Sequence, residues 1–182
     1  MDYVTTEAGN ASRYAIGSIL PKVFGGFNTT VRIKWFDISA SFDYQIGGKV
    51  YDSRYAALMT PNSDLSSTNG QTYHKDWINS WSPNNTDSNL PRWQIGDTDT
   101  GMASDRFLAN AGYLNFQSFV VGFTLPKLFN DIEKIRVYCM GENLCFWSAR
   151  KGLDPRYSYG GNASVGAYSP MRTISGGVEV VF

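Results

Sequence analysis

The sequence predicts an all-β chain folded as the wall of an antiparallel transmembrane β-barrel. Three observations carry this: apolar and polar residues alternate over runs of ten to thirteen, the last run ends on an aromatic carboxy terminus, and short connections alternate with long ones. A tilted strand needs about nine to eleven residues to cross a bilayer, whereas globular strands average about five or six. Length separates the two settings, because a half-buried strand of a soluble sandwich alternates in the same way.

The first strand is predicted from Val23 to Trp35. Val23, Gly25, Phe27, Thr29, Val31, Ile33 and Trp35 share one face, against Phe24, Gly26, Asn28, Thr30, Arg32 and Lys34. A tight turn around Trp35 and Phe36 leads into the second strand, Asp37 to Ile46. There Ile38, Ala40, Phe42, Tyr44 and Ile46 alternate without exception with Asp37, Ser39, Ser41, Asp43 and Gln45. In Tyr113 to Leu125 the lower half places Phe119, Val121, Phe123 and Leu125 on one face, while Leu114 and Phe116 have the opposite parity. A bulge near Asn115 to Ser118 would restore a single apolar face. Ile135, Val137 and Cys139 then alternate with Lys134, Arg136 and Tyr138, and after Gly141-Glu142-Asn143 the apolar parity is expected to pass to Leu144 and Phe146. The closing strand sets Ile174, Gly176, Val178, Val180 and Phe182 against Thr173, Ser175 and Glu179.

Of the connections, Trp35-Phe36 is short and Pro126 to Glu133 moderate. Asp52 to Asn110 and Ala149 to Pro170 are long and rich in Ser, Asn, Asp, Gly and Tyr. Transmembrane barrels carry short turns on the periplasmic side and long loops outside. If the chain ends in the periplasm, its final strand runs inward, and counting back places both long loops on the cell surface. About five long strands with two long extracellular loops form an open curved sheet when alone.

Composition narrows the function. The chain has 182 residues, with 16 basic and 16 acidic side chains that cancel, so the basic excess of a nucleic-acid binder is missing. No run of eighteen apolar residues reads as a membrane helix; a barrel wall escapes such a test because half its residues face water. Cys139 and Cys145 lie on one predicted strand, with α-carbons about 20 Å apart at about 3.3 Å per residue, beyond the roughly 7 Å a disulfide allows. Both are expected as free thiols. A lone histidine, His74, reads as a loop residue, and no metal or cofactor motif accompanies it. No nucleophile elbow, phosphate loop or nucleotide fingerprint appears, and Asp97 and Asp99 sit in a loop that cannot fix the spacing of a glycosidase pair. No enzyme is expected. Asp154-Pro155 reads as a turn.

Taken in order, the motifs resemble the carboxy-terminal part of the TonB-linked outer-membrane transporters of the SusC/RagA type from Bacteroidetes. The resemblance runs through Gly25-Gly26-Phe27-Asn28-Thr29, Phe36-Asp37-Ile38-Ser39, Gly47-Gly48-Lys49-Val50-Tyr51-Asp52, Ser104-Asp105-Arg106-Phe107-Leu108, Gly122-Phe123-Thr124-Leu125-Pro126, Glu142-Asn143-Leu144 and Lys151-Gly152-Leu153-Asp154-Pro155 to Phe182. It implies a 22-stranded barrel around an amino-terminal plug, import of glycans or peptides driven by TonB, and a SusD-like surface lipoprotein as lid. It also implies contact with outer-membrane lipid and the barrel-assembly machinery, with Phe182 as the carboxy-terminal assembly signal. Residues 1–182 match about the last five strands. Because five strands fall below the smallest barrels of about eight, the sequence is expected to be a piece of a longer protein or to begin at an internal start.

Candidate contacts for ligand or lid are the loop aromatics Tyr73, Trp77, Trp81, Trp93, Tyr157 and Tyr159, with Tyr168 nearby. Aromatic faces suit sugar rings and carry polar handles; the same residues also suit packing the loops together. Lumen-facing Arg32, Lys34, Asp43 and Arg136 are expected to pair with neighbouring strands or the plug, since charge in a barrel wall needs partners. Two rival classes remain: a soluble carbohydrate-binding β-sandwich, and a passive outer-membrane barrel without TonB coupling.

Overall fold

The computed structural model describes residues 8–61, 72–97, 99–129, 132–159, 161–163 and 168–182, without the side chains of residues 8, 127–129, 159, 162 and 163. Five long strands form one open curved antiparallel sheet in the order β1 (Val23–Ile33), β2 (Phe36–Ile46), β5 (Tyr113–Phe129), β6 (Ile132–Ser148) and β9 (Thr173–Val181). The intervening β3 (Lys49–Asp52), β4 (Leu108–Asn110), β7 (Ser158–Tyr159) and β8 (Asn162–Ala163) belong to the loops.

Pairing puts the apolar residues in unbroken rows. Val31, Ile38, Val121, Cys139 and Gly176 lie side by side, as do Ile33, Phe36, Phe123, Val137 and Val178. In the middle of the wall Phe27, Phe42 and Phe116 stack ring on ring at 4.7 and 4.5 Å. An eleven-residue strand of about 36 Å, tilted by about 35–45° as barrel strands are, rises about 26–30 Å, enough to cross an apolar band about 25 Å tall.

The expected bulge lies at Gln117. Ser41 pairs with Ser118 while Phe42 pairs with Phe116, so one residue is passed over and Leu114 and Phe116 return to the apolar face. On β6 the expected change of parity does not occur. Glu142 pairs with Ser118 but Cys145 with Phe116, so Asn143 and Leu144 are both passed over. A two-residue insertion leaves parity unchanged, and Phe146 therefore faces the polar side. Asn143 adopts φ 52°, a left-handed conformation that Asn tolerates better than most residues.

At the short-turn end the first hairpin turns one residue earlier than the sequence reading, and the second is tighter. Ile33 pairs with Phe36, so Lys34 and Trp35 make the turn and Phe36 opens β2, its ring 4.7 Å from Phe123. The supposed connection from Pro126 to Glu133 is mostly strand, with Phe129 paired to Ile132. Pro126 has no N–H for the ladder and sits at a register irregularity, which made this stretch read as loop.

Hydrogen bonds tie side chains together along the polar face. Thr30 and Ser39 hydroxyls meet at 3.1 Å, Asn115 Nδ2 donates to Asp43 Oδ1 at 2.7 Å, and Ser41 donates to Asn28. Arg136 on β6 donates to both carboxylate oxygens of Asp37 on β2, at 3.2 and 2.6 Å. The pair reaches across β5 at Gly122, where a Cβ would lie 2.7 Å from Arg136 Nη2 and closer still to Asp37. Only a residue without a side chain leaves this crossing open. Cys139 and Cys145 are free and both lie on β6.

Candidate functional site

Both long connections leave the same end of the sheet, as the strand count implied, and they share strand pairing, which the sequence reading did not foresee. β3 pairs antiparallel with β4 of its own loop and parallel with β8 of the other, through Tyr51 and Asn162. Beneath them lie two small cores: Ala56, Met59, Trp77 and Phe107 in one, Val50, Ala111 and Leu153 in the other.

Asp52 organises this module. It is buried, caps α1 (Ser53–Leu58) by accepting the Tyr55 backbone N–H at 2.9 Å, and receives Arg150 on its other oxygen. A side-chain cap satisfies one of the orphan donors at a helix start. Arg150 lies 3.7 Å above the Tyr55 ring. The Tyr55 hydroxyl donates to Asp76 Oδ2 at 2.8 Å, and burial, then the Asp76 carboxylate, push its pKa up. His74 accepts the Asp76 N–H on Nδ1 at 3.2 Å and meets Tyr55 edge to face at 4.9 Å.

The second loop is fastened by Asp154. It caps the 3-10 turn Pro155–Tyr157 through the Arg156 N–H at 3.2 Å and accepts the Arg156 guanidinium at 2.9 and 2.7 Å. Arg156 lies 4.4 Å above Phe146, at the loop end of the wall's polar face. Burial works to raise the Asp154 pKa, but the hydrogen bonds from Arg156 and Ser169 outweigh it and hold it below the ordinary value.

The aromatic candidates separate. Trp77 is buried and donates from Nε1 to the Leu58 carbonyl at 3.3 Å; it packs the module and offers no open face. Trp81 and Trp93 are exposed, at 39% and 38%, and Tyr73 meets Trp93 edge to face at 5.9 Å. Tyr157 and Tyr168 are exposed. Tyr159 lies on β7, with its side chain outside the described residues. Sequence reasoning missed Asp52, Arg106, Arg150 and the Asp154–Arg156 pair; an Asp opening Asp52-Ser53-Arg54-Tyr55 is the signal that marks the cap. Among the described residues no group of three His, Cys, Asp or Glu side chains could hold a metal.

No protein-family model matches the chain. It is 27% identical over 189 residues to TonB-dependent receptor P3 of Formosa agariphila, across 97% of this chain and 18% of that protein. It is also 27% identical to TonB-dependent receptor P26 of the same organism, across 92% of this chain and 18% of that protein. Among solved structures, the RagAB peptide importer in its open-open state superposes with TM-score 0.68 at 26% identity, over 94% of this chain and 19% of that one. A second structure of the RagAB peptide transporter gives 0.73 at 24% identity, over 93% and 19%. Over nearly its whole length this chain is similar to the SusC/RagA-type TonB-dependent receptors. It spans under a fifth of the length of the relatives it matches. Those relatives are receptors and importers rather than enzymes, and the SusC/RagA type is an outer-membrane importer family.

Proposed function

We propose that residues 1–182 supply the last five barrel strands and two surface loops of an outer-membrane transporter that imports glycans or peptides, driven by TonB through a region outside this chain. The supporting observation is an apolar face that runs across all five strands and stays open, with Phe27, Val31, Ile38, Val137, Ile174 and Val178 exposed. Lipid satisfies such a face. A soluble sandwich would need a second apolar sheet over it, and among the described residues nothing covers it. The loop module then crowns the outer end of the wall, β1 and β9 pair with strands outside this chain, and Phe182 meets the assembly machinery.

RagAB carries two components in its name; by analogy, a SusD-like lipoprotein closes over the loop module here. Exposed Trp81, Trp93 and Tyr157, with Tyr73 behind Trp93, form its contact surface for lid or ligand. The first test is the mass of the outer-membrane species carrying these peptides. A protein far larger than 20.3 kDa whose mobility shifts on heating supports a closed transporter, and a soluble 20.3 kDa species ends this reading. Trp81→Ala in the full-length receptor is expected to weaken ligand or lid affinity about two- to tenfold. Unchanged uptake and lid affinity would remove Trp81 from the surface.

A further inference from the structure

Two guanidinium groups line one pocket of about 280 Å³ in the loop module, floored by Phe107, Leu108 and Ala109. Arg106 and Arg150 each keep one N–H donor, Nε and Nη1, shut from solvent without an acceptor. Buried polar groups are nearly always hydrogen-bonded, so two such orphans in one pocket call for a cause. The pocket's carboxylate, Asp52, is engaged on both oxygens: one accepts the Tyr55 N–H and the other takes Arg150. That neutralises Arg150 and leaves Arg106 as the uncompensated charge. Arg106 donates to the Thr100 carbonyl and lies 4.6 Å above Phe107, and among the described residues no carboxylate forms an ion pair with it. Burial lowers its pKa below the ordinary guanidinium value, opposed more weakly by Tyr55, Tyr51 and Asp97.

We propose that this pocket binds a carboxylate of the imported ligand, with Arg106 as the group that receives it and Arg150 lending its spare donor. A guanidinium fork matches a carboxylate in shape and charge, and a partly desolvated site strengthens the match. The apolar floor would hold the carbon skeleton next to the acid group. The inference rests on the transporter reading, because only that reading turns the loop module towards incoming ligand. It deepens that reading by selecting acidic cargo, either a uronate-bearing oligosaccharide or a peptide with free carboxylates.

The test uses the full-length receptor with its lipoprotein and measures binding of two probe pairs by calorimetry: oligogalacturonides against their methyl esters, and a tryptic peptide digest against its carboxyl-amidated form. One carboxylated probe is expected to bind about 10- to 100-fold more tightly than its blocked partner, and which pair does so identifies the source of the carboxylate. Arg106→Gln should abolish that difference while leaving binding of the blocked probe unchanged, and Arg106→Lys should restore part of it. Heat-shifted mobility of each variant shows that the barrel is folded. Equal binding within both pairs, no binding of either carboxylated probe, or an Arg106→Gln loss shared equally by blocked and free probes overturns the proposal. So does a loss confined to lipoprotein affinity, which would assign the acceptor to an acidic side chain of the lid. Any of these can occur in a protein that still shows barrel behaviour and TonB-dependent uptake, so failure of the site is distinguishable from failure of the transporter reading.

Discussion

The wall and the loop module are built on opposite principles. Every buried apolar side chain among the described residues, from Val50, Met59 and Trp77 to Phe107 and Leu153, lies in the module or at its foot. The wall buries none. Its large apolar groups lie in rows on one face, and among the described residues its buried polar side chain, Asn115, is on the other. The module is therefore held by the hydrophobic effect, as a small globular domain is, whereas the wall is held by strand pairing and, on the transporter reading, by lipid against its apolar face. A region with its own core can keep its shape independently of the sheet beneath it, which would suit the proposed contact with ligand and lid.

The largest expected effect tests the module's independence. Phe107→Ala removes a side chain that is 1% exposed and touches Tyr51 and Tyr55 edge to face, and should cost the module about 3–5 kcal/mol. Hydrogen exchange should show β3, α1 and β4 opening while β1, β2 and β5 keep their protection. A second substitution pair tests the wall. Ala40→Arg, on the apolar face between Thr29 and Phe119, should destabilise the full-length receptor in lipid by about 2–4 kcal/mol. Ser39→Arg, one residue away on the polar face, should cost far less. Equal costs at Ala40 and Ser39 in a denaturant titration would mean that neither face meets lipid.

How much of this was legible follows from the same division. Alternation in β1 and β2 is imposed by two solvents, lipid and water, so it can be read residue by residue. The Gln117 bulge could be read too, because one extra residue reverses parity. The Asn143-Leu144 insertion could not be read correctly, since two extra residues leave the period intact and only the cross-strand partners Ser118 and Phe116 expose it. In the module, β3, β7 and β8 have four residues or fewer, too short for any period, and the β3–β8 pairing joins one loop to the other. Trp77 and Trp81 are identical in type and lie four residues apart, yet one is core and the other surface; only the packing around α1 separates them. Nothing in the sequence singles out Arg106 for a site, because the lack of a carboxylate paired with it among the described residues is a fact of three dimensions.

The smallest expected effect concerns the joint between the two regions. Asp154 ties the second loop to the wall through Arg156 and Phe146, and its pKa is held below 3.8 despite the burial that works to raise it. An acid depressed in the folded state stabilises that state above its unfolded pKa and loses the contribution as pH falls through the folded one. The joint should therefore be unchanged from neutral pH down to about pH 4 and should loosen only below that. Limited proteolysis between Ala149 and Tyr159 across an acid series should show this. Asp154→Asn removes the titration, and its cleavage rate should be higher at neutral pH and flat across the series. If instead wall and loop open together as acid is added, Asp154 is no joint and the two regions form one cooperative unit.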